Sequence, residues 1–339
     1  MTASRALVIA GLGARGADDT AAIRAFCASR RIPAMVTYKA KGVIGDADAS
    51  FAGIFTNGLI EGDIVDQADL LIAVGLDPVE LLPRPWTRTV PIVAWGRWRV
   101  AEGHVKFSKQ IVGEIGTALD SIGRELGPSR WDLDDVRRRV DAQRARIRLP
   151  SEQLTADRVV DVVAKRAAAT SRVTVDAGAH MLPATMLWPV DEPNRMLISN
   201  GLSTMGFALP AAIGAALVDR DRPTVALTGD GGLLICAGEL LTAVRERLHV
   251  IVVVFSDGAL TLIDVKQQQR KLRRAGVAIG DVAWASIAES FRMPGHVATT
   301  EEELDRAVET ALAYRGPSLI DARIDPSTYP EMLRAVRGG

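Results

Sequence analysis

Short apolar runs rich in Val, Ile and Leu recur along the chain, separated by longer stretches at helical spacing. In the first part they are ALVIAG at 6–11, PAMVTY at 33–38, DLLIAVGL at 69–76 and VPIVAWG at 90–96, with a helical stretch over 20–31. In the second part they are RVTVDAG at 172–178, RMLISNG at 195–201, TVALTGD at 224–230, IVVVFSD at 251–257 and SLIDARID at 318–325. Runs that are apolar almost continuously, rather than at every second position, suit parallel strands covered by helices on both faces. The pattern therefore predicts an α/β protein of two doubly wound parallel-sheet domains, over 1–127 and 155–339. Between them, 128–154 is polar, rich in arginine and punctuated by Pro128 and Pro150, and is expected to be a linker. No internal repeat or low-complexity tract appears.

Composition narrows this picture. A chain of 339 residues that is 48% hydrophobic and 24% charged can bury two cores. Lysine plus arginine equals aspartate plus glutamate at 41 each, so no net field draws it to nucleic acid or to an anionic membrane. The arginine clusters RRRVDAQRARIR at 137–148 and KLRR at 271–274 are expected on solvated helix faces. Cys27 and Cys236 lie far apart in apolar surroundings, which suits free thiols in a reducing compartment. The longest apolar run, 250–255, is far too short for a membrane span, and no leader pattern opens the chain, so a cytoplasmic location is expected.

Candidate chemistry sits where strands end. GLGARG at 11–16 follows a strand and precedes a helix, as in dinucleotide-binding turns, but the second strand ends in Thr37, Tyr38 and Lys39 rather than in a ribose-binding acid. A turn whose amides need no ligand is the better expectation. In the second domain, one strand ends in Asp230 within GDGG and the next in Asp257 within SDGA. The separation of twenty-seven positions between these acids is about what a helix and a returning parallel strand occupy, so the two carboxylates should be neighbours. Gly229 and Gly231 are expected to free the backbone around Asp230. Gly231 and Gly232 are expected to let an anion reach the amides leading to a helix at 237–247. Carboxylates beside a phosphate imply a bridging cation, and hard oxygen ligands select magnesium or calcium.

At this point the chain resembles a known family. GDGG, followed by an acid or amide at the end of the next strand, is similar to the diphosphate-binding motif of thiamine diphosphate enzymes of the acetohydroxyacid synthase and pyruvate decarboxylase-like family. NGLSTMGFALPAAIGA at 200–215 resembles their pyrimidine-holding segment, DAGAH at 176–180 their first phosphate-side loop, and the first domain, with LDPVELLPRPW at 76–86, their middle domain. The resemblance implies that Asp230 and Asp257 bind Mg2+ through side chains and Ala259 through its carbonyl. It implies that Gly229, Gly231 and Gly232 meet the diphosphate together with Gly178, Ala179 and His180. It further implies that Met205 supports the thiazolium and that the Ser203 carbonyl receives the 4'-amino group. The activity implied is decarboxylation of a 2-oxo acid followed by ligation of the enamine to a carbonyl acceptor, as in acetolactate synthases.

Two departures qualify the resemblance. Asp257 stands where the family most often has Asn, adding a charge that favours the cation and repels the diphosphate; two unit charges at 4 Å interact by about 4 kcal/mol at an effective dielectric of 20. In addition, the family's pyrimidine-side domain, which supplies a catalytic glutamate, has no counterpart in this sequence, so no catalytic residue is expected in this chain itself. The expectation is a split enzyme: one subunit of a hetero-oligomer with a dimeric core, active with a separate pyrimidine-domain subunit on a small 2-oxo acid. The alternatives are a non-catalytic cofactor-binding or stabilising subunit, or a fragment of a longer enzyme. The resemblance also allows FAD in the middle domain, although no sequence feature requires it. Lys266, Gln267 and Arg270 could meet a substrate carboxylate, with a solvated helix face the commoner role for such residues.

Overall fold

The computed structural model describes residues 3–199 and 201–338. The chain forms two compact units. One comprises Met1–Arg146, Pro189–Arg195 and Ala335–Gly339, and the other Ile147–Trp188 and Met196–Arg334.

The first unit contains β1 (Ala6–Ala10), α1 (Ala17–Arg30), β2 (Ala34–Val36), β3 (Phe51–Ile54), α2 (Gly62–Val65), β4 (Leu70–Val74), β5 (Ile92–Gly96), β6 (Lys109–Val112), α3 (Ile115–Glu125) and α4 (Leu133–Ala145). Its strands form one sheet in the order β3-β2-β1-β4-β5-β6, all parallel. The order reverses between β1 and β4, the position where doubly wound sheets open a crevice at the carboxyl ends of their strands. Every residue of β1 is buried, as its unbroken apolar run requires.

The second unit contains α5 (Ala156–Ala167), β7 (Arg172–Val175), α6 (Met181–Leu187), β8 (Met196–Ile198), α7 (Ala208–Val218), β9 (Thr224–Gly229), α8 (Asp230–Cys236), α9 (Glu239–Arg245), β10 (Val250–Ser256), α10 (Thr261–Gln269), α11 (Trp284–Ser290), β11 (Gly295–Ala298), α12 (Glu301–Tyr314) and β12 (Ser318–Arg323). A last helix, α13 (Tyr329–Arg337), begins in this unit. Its six strands are also all parallel, in the order β11-β12-β10-β9-β7-β8, so the reversal falls between β7 and β9. β10 is buried along all seven residues. Pairing of Phe255 with Gly229 brings the ends of β9 and β10 level, so residues just beyond each strand share one rim of the sheet.

The fold class matches the expectation of two doubly wound α/β units, and three features differ. The segment 128–154, expected as a linker, carries α4, which packs on β3. In that helix, Arg137 donates to the carbonyls of Asp46 (2.9 Å) and Asp48 (2.7 Å), and Arg144 pairs with the Asp46 carboxylate. These arginines are anchors rather than a solvated face. The helix expected at 237–247 starts instead at Asp230, directly after β9, and pauses between α8 and α9. Finally, β3, β6 and β11 are short peripheral strands whose apolar signal is weak.

Candidate functional site at the strand ends of the second unit

The acids that end β7, β9 and β10 are handled in three different ways. Asp176 follows β7 and is fully buried. One of its oxygens accepts from the amides of Ala177 (2.8 Å) and Phe207 (3.3 Å), the other from the Gly206 amide (3.1 Å) and the Thr228 hydroxyl (2.9 Å). It thereby ties the loop bearing Met205 to the ends of two strands. Asp176 carries the same sequence signal as Asp230, an apolar strand ending in an acid.

Asp230 is the first residue of α8 and is 2% exposed. Its Oδ2 accepts the amides of Asp257 and Gly258, both at 2.8 Å, and its Oδ1 accepts the Ser256 hydroxyl (3.2 Å) and the Trp284 indole N–H (2.6 Å). Asp257 lies beside it. Among the described residues, its carboxylate accepts the Ala259 amide (3.1 Å) and the Thr261 hydroxyl (2.6 Å) and no other donor. Burial first, and then the neighbouring Asp230 charge, push the Asp257 pKa up to about 6, against the pull of those two donors. Adjacent, partly desolvated carboxylates of this kind are what a cation would relieve.

His180 occupies the floor of the same rim. It is buried, its ring stacks on Phe255 with centroids 5.0 Å apart, and its Nε2 has no hydrogen-bond partner among the described residues. Burial lowers its pKa to about 4, outweighing the attraction of Asp176 and Asp230, so it is neutral at physiological pH. A Cβ at Gly178 would stand 2.5 Å from its Cε1, which explains the glycine.

The glycines of the GDGG motif also correct the expectation. None of Gly229, Gly231 and Gly232 has positive φ, so conformational freedom is not their purpose. A Cβ at Gly232 would lie 2.2 Å from the Asp176 carboxylate, and one at Gly231 would lie 2.3 Å from Leu260 Cδ2 and 2.7 Å from Met205 Cε. Close packing selects them. Met205 thus reaches across Gly231 as one of its capping side chains. Ser203 is exposed and has φ of 50°, an uncommon conformation for a residue other than glycine. Ala179 is buried, and Ala259 follows the Asp257–Gly258 turn. Asn200, which opens the pyrimidine-like segment, lies outside the described residues. The Gln267 amide bonds the Ala275 backbone at both ends (3.0 and 3.1 Å).

Among the described residues, no three His, Cys, Asp or Glu side chains gather as a metal site. Asp230 and Asp257 fit the other arrangement common for magnesium, one or two carboxylates completed by phosphate oxygens and water. The unpartnered His180 Nε2 and the uncompensated Asp257 charge both suit a magnesium diphosphate group.

The first unit offers a contrast at its own glycine-rich turn. The Leu12 amide donates to both oxygens of Glu80 (2.9 and 3.0 Å), the Gly13 amide to the Gly75 carbonyl (2.8 Å), and the Ala14 amide to the Gly11 carbonyl (2.9 Å). Glu80 is 2% exposed and also accepts from the Thr37 hydroxyl (2.5 Å) and the Asp77 amide (3.1 Å). The adjoining cavity, of about 240 Å3, is lined by Leu12, Arg15, Leu76, Asp77, Trp95 and Trp98 among others. It is below the usual size for a drug-sized ligand, and a flavin diphosphate finds no free amide at residues 12–14. These residues do not fit FAD.

The fold is that of two doubly wound α/β units, the second with paired acids at its strand ends. Residues 1–122 match the family described as thiamine pyrophosphate enzyme, central domain, and residues 176–322 match thiamine pyrophosphate enzyme, C-terminal TPP binding domain. The chain belongs to the thiamine pyrophosphate enzymes. It is 28% identical over 348 residues to an acetolactate synthase of Bacillus subtilis (strain 168), covering 96% of this chain and 60% of that protein. It is 30% identical over 297 residues to a catabolic acetolactate synthase of Raoultella terrigena, covering 84% of this chain and 53% of that protein. To the large subunit of acetolactate synthase isozyme 1 of Escherichia coli (strain K12) it is 35% identical over 164 residues, 47% of this chain and 29% of that protein. The chain therefore spans at most about 60% of the length of these relatives. Among the described residues, no helix is long and apolar enough to cross a membrane, and both cysteines are free.

Proposed function

We propose that this chain carries the diphosphate-binding half of an acetolactate synthase-like enzyme, acting on a 2-oxo acid together with a pyrimidine-side domain on another polypeptide, in a hetero-oligomer with a dimeric core. The observation that supports it best is the rim where Asp230, Asp257 and His180 converge beside Gly231 and Gly232. When bound, thiamine diphosphate supplies the electron sink that allows a 2-oxo acid to lose carbon dioxide and its remainder to join a carbonyl acceptor.

The chain's own residues hold and orient that group. Asp230 and Asp257 present hard oxygens to magnesium, with the Ala259 carbonyl as a third donor. Neutral His180 can donate one N–H towards the diphosphate without adding charge, from the loop that also carries Gly178 and Ala179. Met205, Leu260 and Ile279 form an apolar cap over Gly231 that excludes water from this side. The Ser203 carbonyl is the acceptor assigned to the 4'-amino group. The glutamate that works on the pyrimidine comes from the partner. The middle unit, with its turn closed by Glu80, serves as a structural unit without FAD, and the two free cysteines suit a cytoplasmic location.

The test is carbon dioxide release and acetolactate formation from a panel of 2-oxo acids, with thiamine diphosphate and Mg2+, by this chain alone and mixed with candidate pyrimidine-domain proteins. Activity that appears only in a mixture and vanishes with Asp230→Ala supports the proposal. Cofactor binding without activity in any mixture would instead support a non-catalytic binding or stabilising subunit, or a fragment.

A further inference from the structure

Trp284 is the first residue of α11 and is completely buried in an apolar core that includes Val252, Val254, Ala288, Met293 and Leu319. Its one polar atom, Nε1, donates to Asp230 Oδ1 at 2.6 Å, the shortest of the four hydrogen bonds that carboxylate accepts. A phenylalanine would fill most of the same apolar space, and what tryptophan adds is the donor. The four bonds divide by origin. Both donors to Oδ1, Trp284 and Ser256, are buried side chains on regular elements of the sheet and its covering layer. Both donors to Oδ2 are amides of the Asp257–Gly258 turn, which also bears the second acidic side chain.

We infer that Trp284 is a positioning residue for the metal-binding carboxylate: its indole N–H, assisted by Ser256, locks the Asp230 side chain from the core side so that its other oxygen is presented at the turn where a divalent cation would sit. A carboxylate accepts at about four lone-pair positions, and in this structure all four are used. A cation must therefore displace or share with a donor, and the half-buried Asp257–Gly258 turn can adjust more readily than a packed indole. Rotation of the carboxylate would leave the buried Nε1–H unpaired, which makes the orientation costly to change. Partners that orient a metal ligand in this way typically govern affinity by about 10- to 100-fold.

This inference rests on the proposed magnesium diphosphate site. The experiment uses the full chain and measures Mn2+ affinity calorimetrically in the presence of thiamine diphosphate, with thermal unfolding of the metal-free protein alongside. Trp284→Phe should weaken Mn2+ binding by about 10- to 100-fold, and Ser256→Ala by less. In an Asp230→Asn background, Trp284→Phe should have no further effect on Mn2+. Should Trp284→Phe fold poorly, 15N-indole spectra of the wild type provide the second test: the indole resonance displaced by Asp230→Asn should also move on titration with Mg2+. An unchanged Mn2+ affinity in Trp284→Phe, or an indole resonance that moves with Asp230→Asn but not with Mg2+, would reduce Trp284 to a packing residue. Wild-type protein that binds no Mn2+ even with thiamine diphosphate would overturn both this inference and the site it depends on.

Discussion

The ends of β1 and β9 present the same local problem and resolve it oppositely. Each is a buried parallel strand that runs into a glycine-rich turn at the switch point of a doubly wound sheet. At β1 the chain closes the turn itself: Glu80 takes the Leu12 amide, and neighbouring carbonyls take those of Gly13 and Ala14. At β9 the chain leaves charge uncompensated, with Asp257 pushed up to about 6 and His180 Nε2 unpartnered. A glycine-rich turn after a strand is thus weak evidence of a ligand. The informative difference is whether the surrounding polar groups are satisfied by the protein.

Removing the acid that opens α8 has the largest expected effect. Asp230→Ala should weaken Mg2+-dependent binding of thiamine diphosphate by more than the roughly 100-fold that outer partners cost, as read by calorimetry, whereas Glu80→Ala should leave that affinity unchanged. A comparable loss in both variants would erase the distinction between the two turns.

His180 gives the next largest effect, through pH. Its folded pKa of about 4 lies below the ordinary value of 6.5, so the unfolded chain takes up a proton first as the pH falls. Stability is fully present above pH 6.5 and is lost as the pH falls through that window towards 4, by about 3 kcal/mol from this group. Urea midpoints measured between pH 7 and 4.5 should fall less steeply in His180→Gln than in the wild type.

Asp257 has the opposite sign. Its folded pKa is raised, so its contribution favours folding below the unfolded value of 3.8 and is lost as the pH rises through about 6. At pH 7 without metal, Asp257→Asn should therefore stabilise the protein by about 1–3 kcal/mol while weakening its hold on Mg2+. That trade is expected of a functional carboxylate and not of a structural one. Glu80→Ala, by contrast, should only destabilise, by about 1–3 kcal/mol, because it strands buried donors at Leu12, Asp77 and Thr37. Thermal unfolding of the two variants side by side sharpens the contrast.

Much of this was legible in the sequence because buried parallel strands leave a simple signal. Unbroken runs such as IVVVFS located β10, and the matched acids at 230 and 257 located the rim of the second sheet. What escaped depends on contacts distant along the chain. Trp284 lies fifty-four residues beyond the Asp230 carboxylate it serves, and nothing near it marks that role. Gly231 and Gly232 suggested backbone freedom, whereas their need for close packing appears only once Met205, Leu260 and Asp176 are in place. Arg137 and Arg144 looked like part of a solvated cluster because charge patterns do not reveal which arginines turn inward to bond Asp46. The peripheral strands β3, β6 and β11 have four residues each, too few for their pattern to stand out.

Calorimetric titration of thiamine diphosphate into the full chain, with Mg2+ and then with the metal chelated, tests whether this rim holds a magnesium diphosphate. Saturable binding that requires Mg2+ and is lost in Asp230→Ala is the predicted result. Binding of equal strength without metal, or unaffected by Asp230→Ala, would contradict the assignment of this rim as a magnesium diphosphate site.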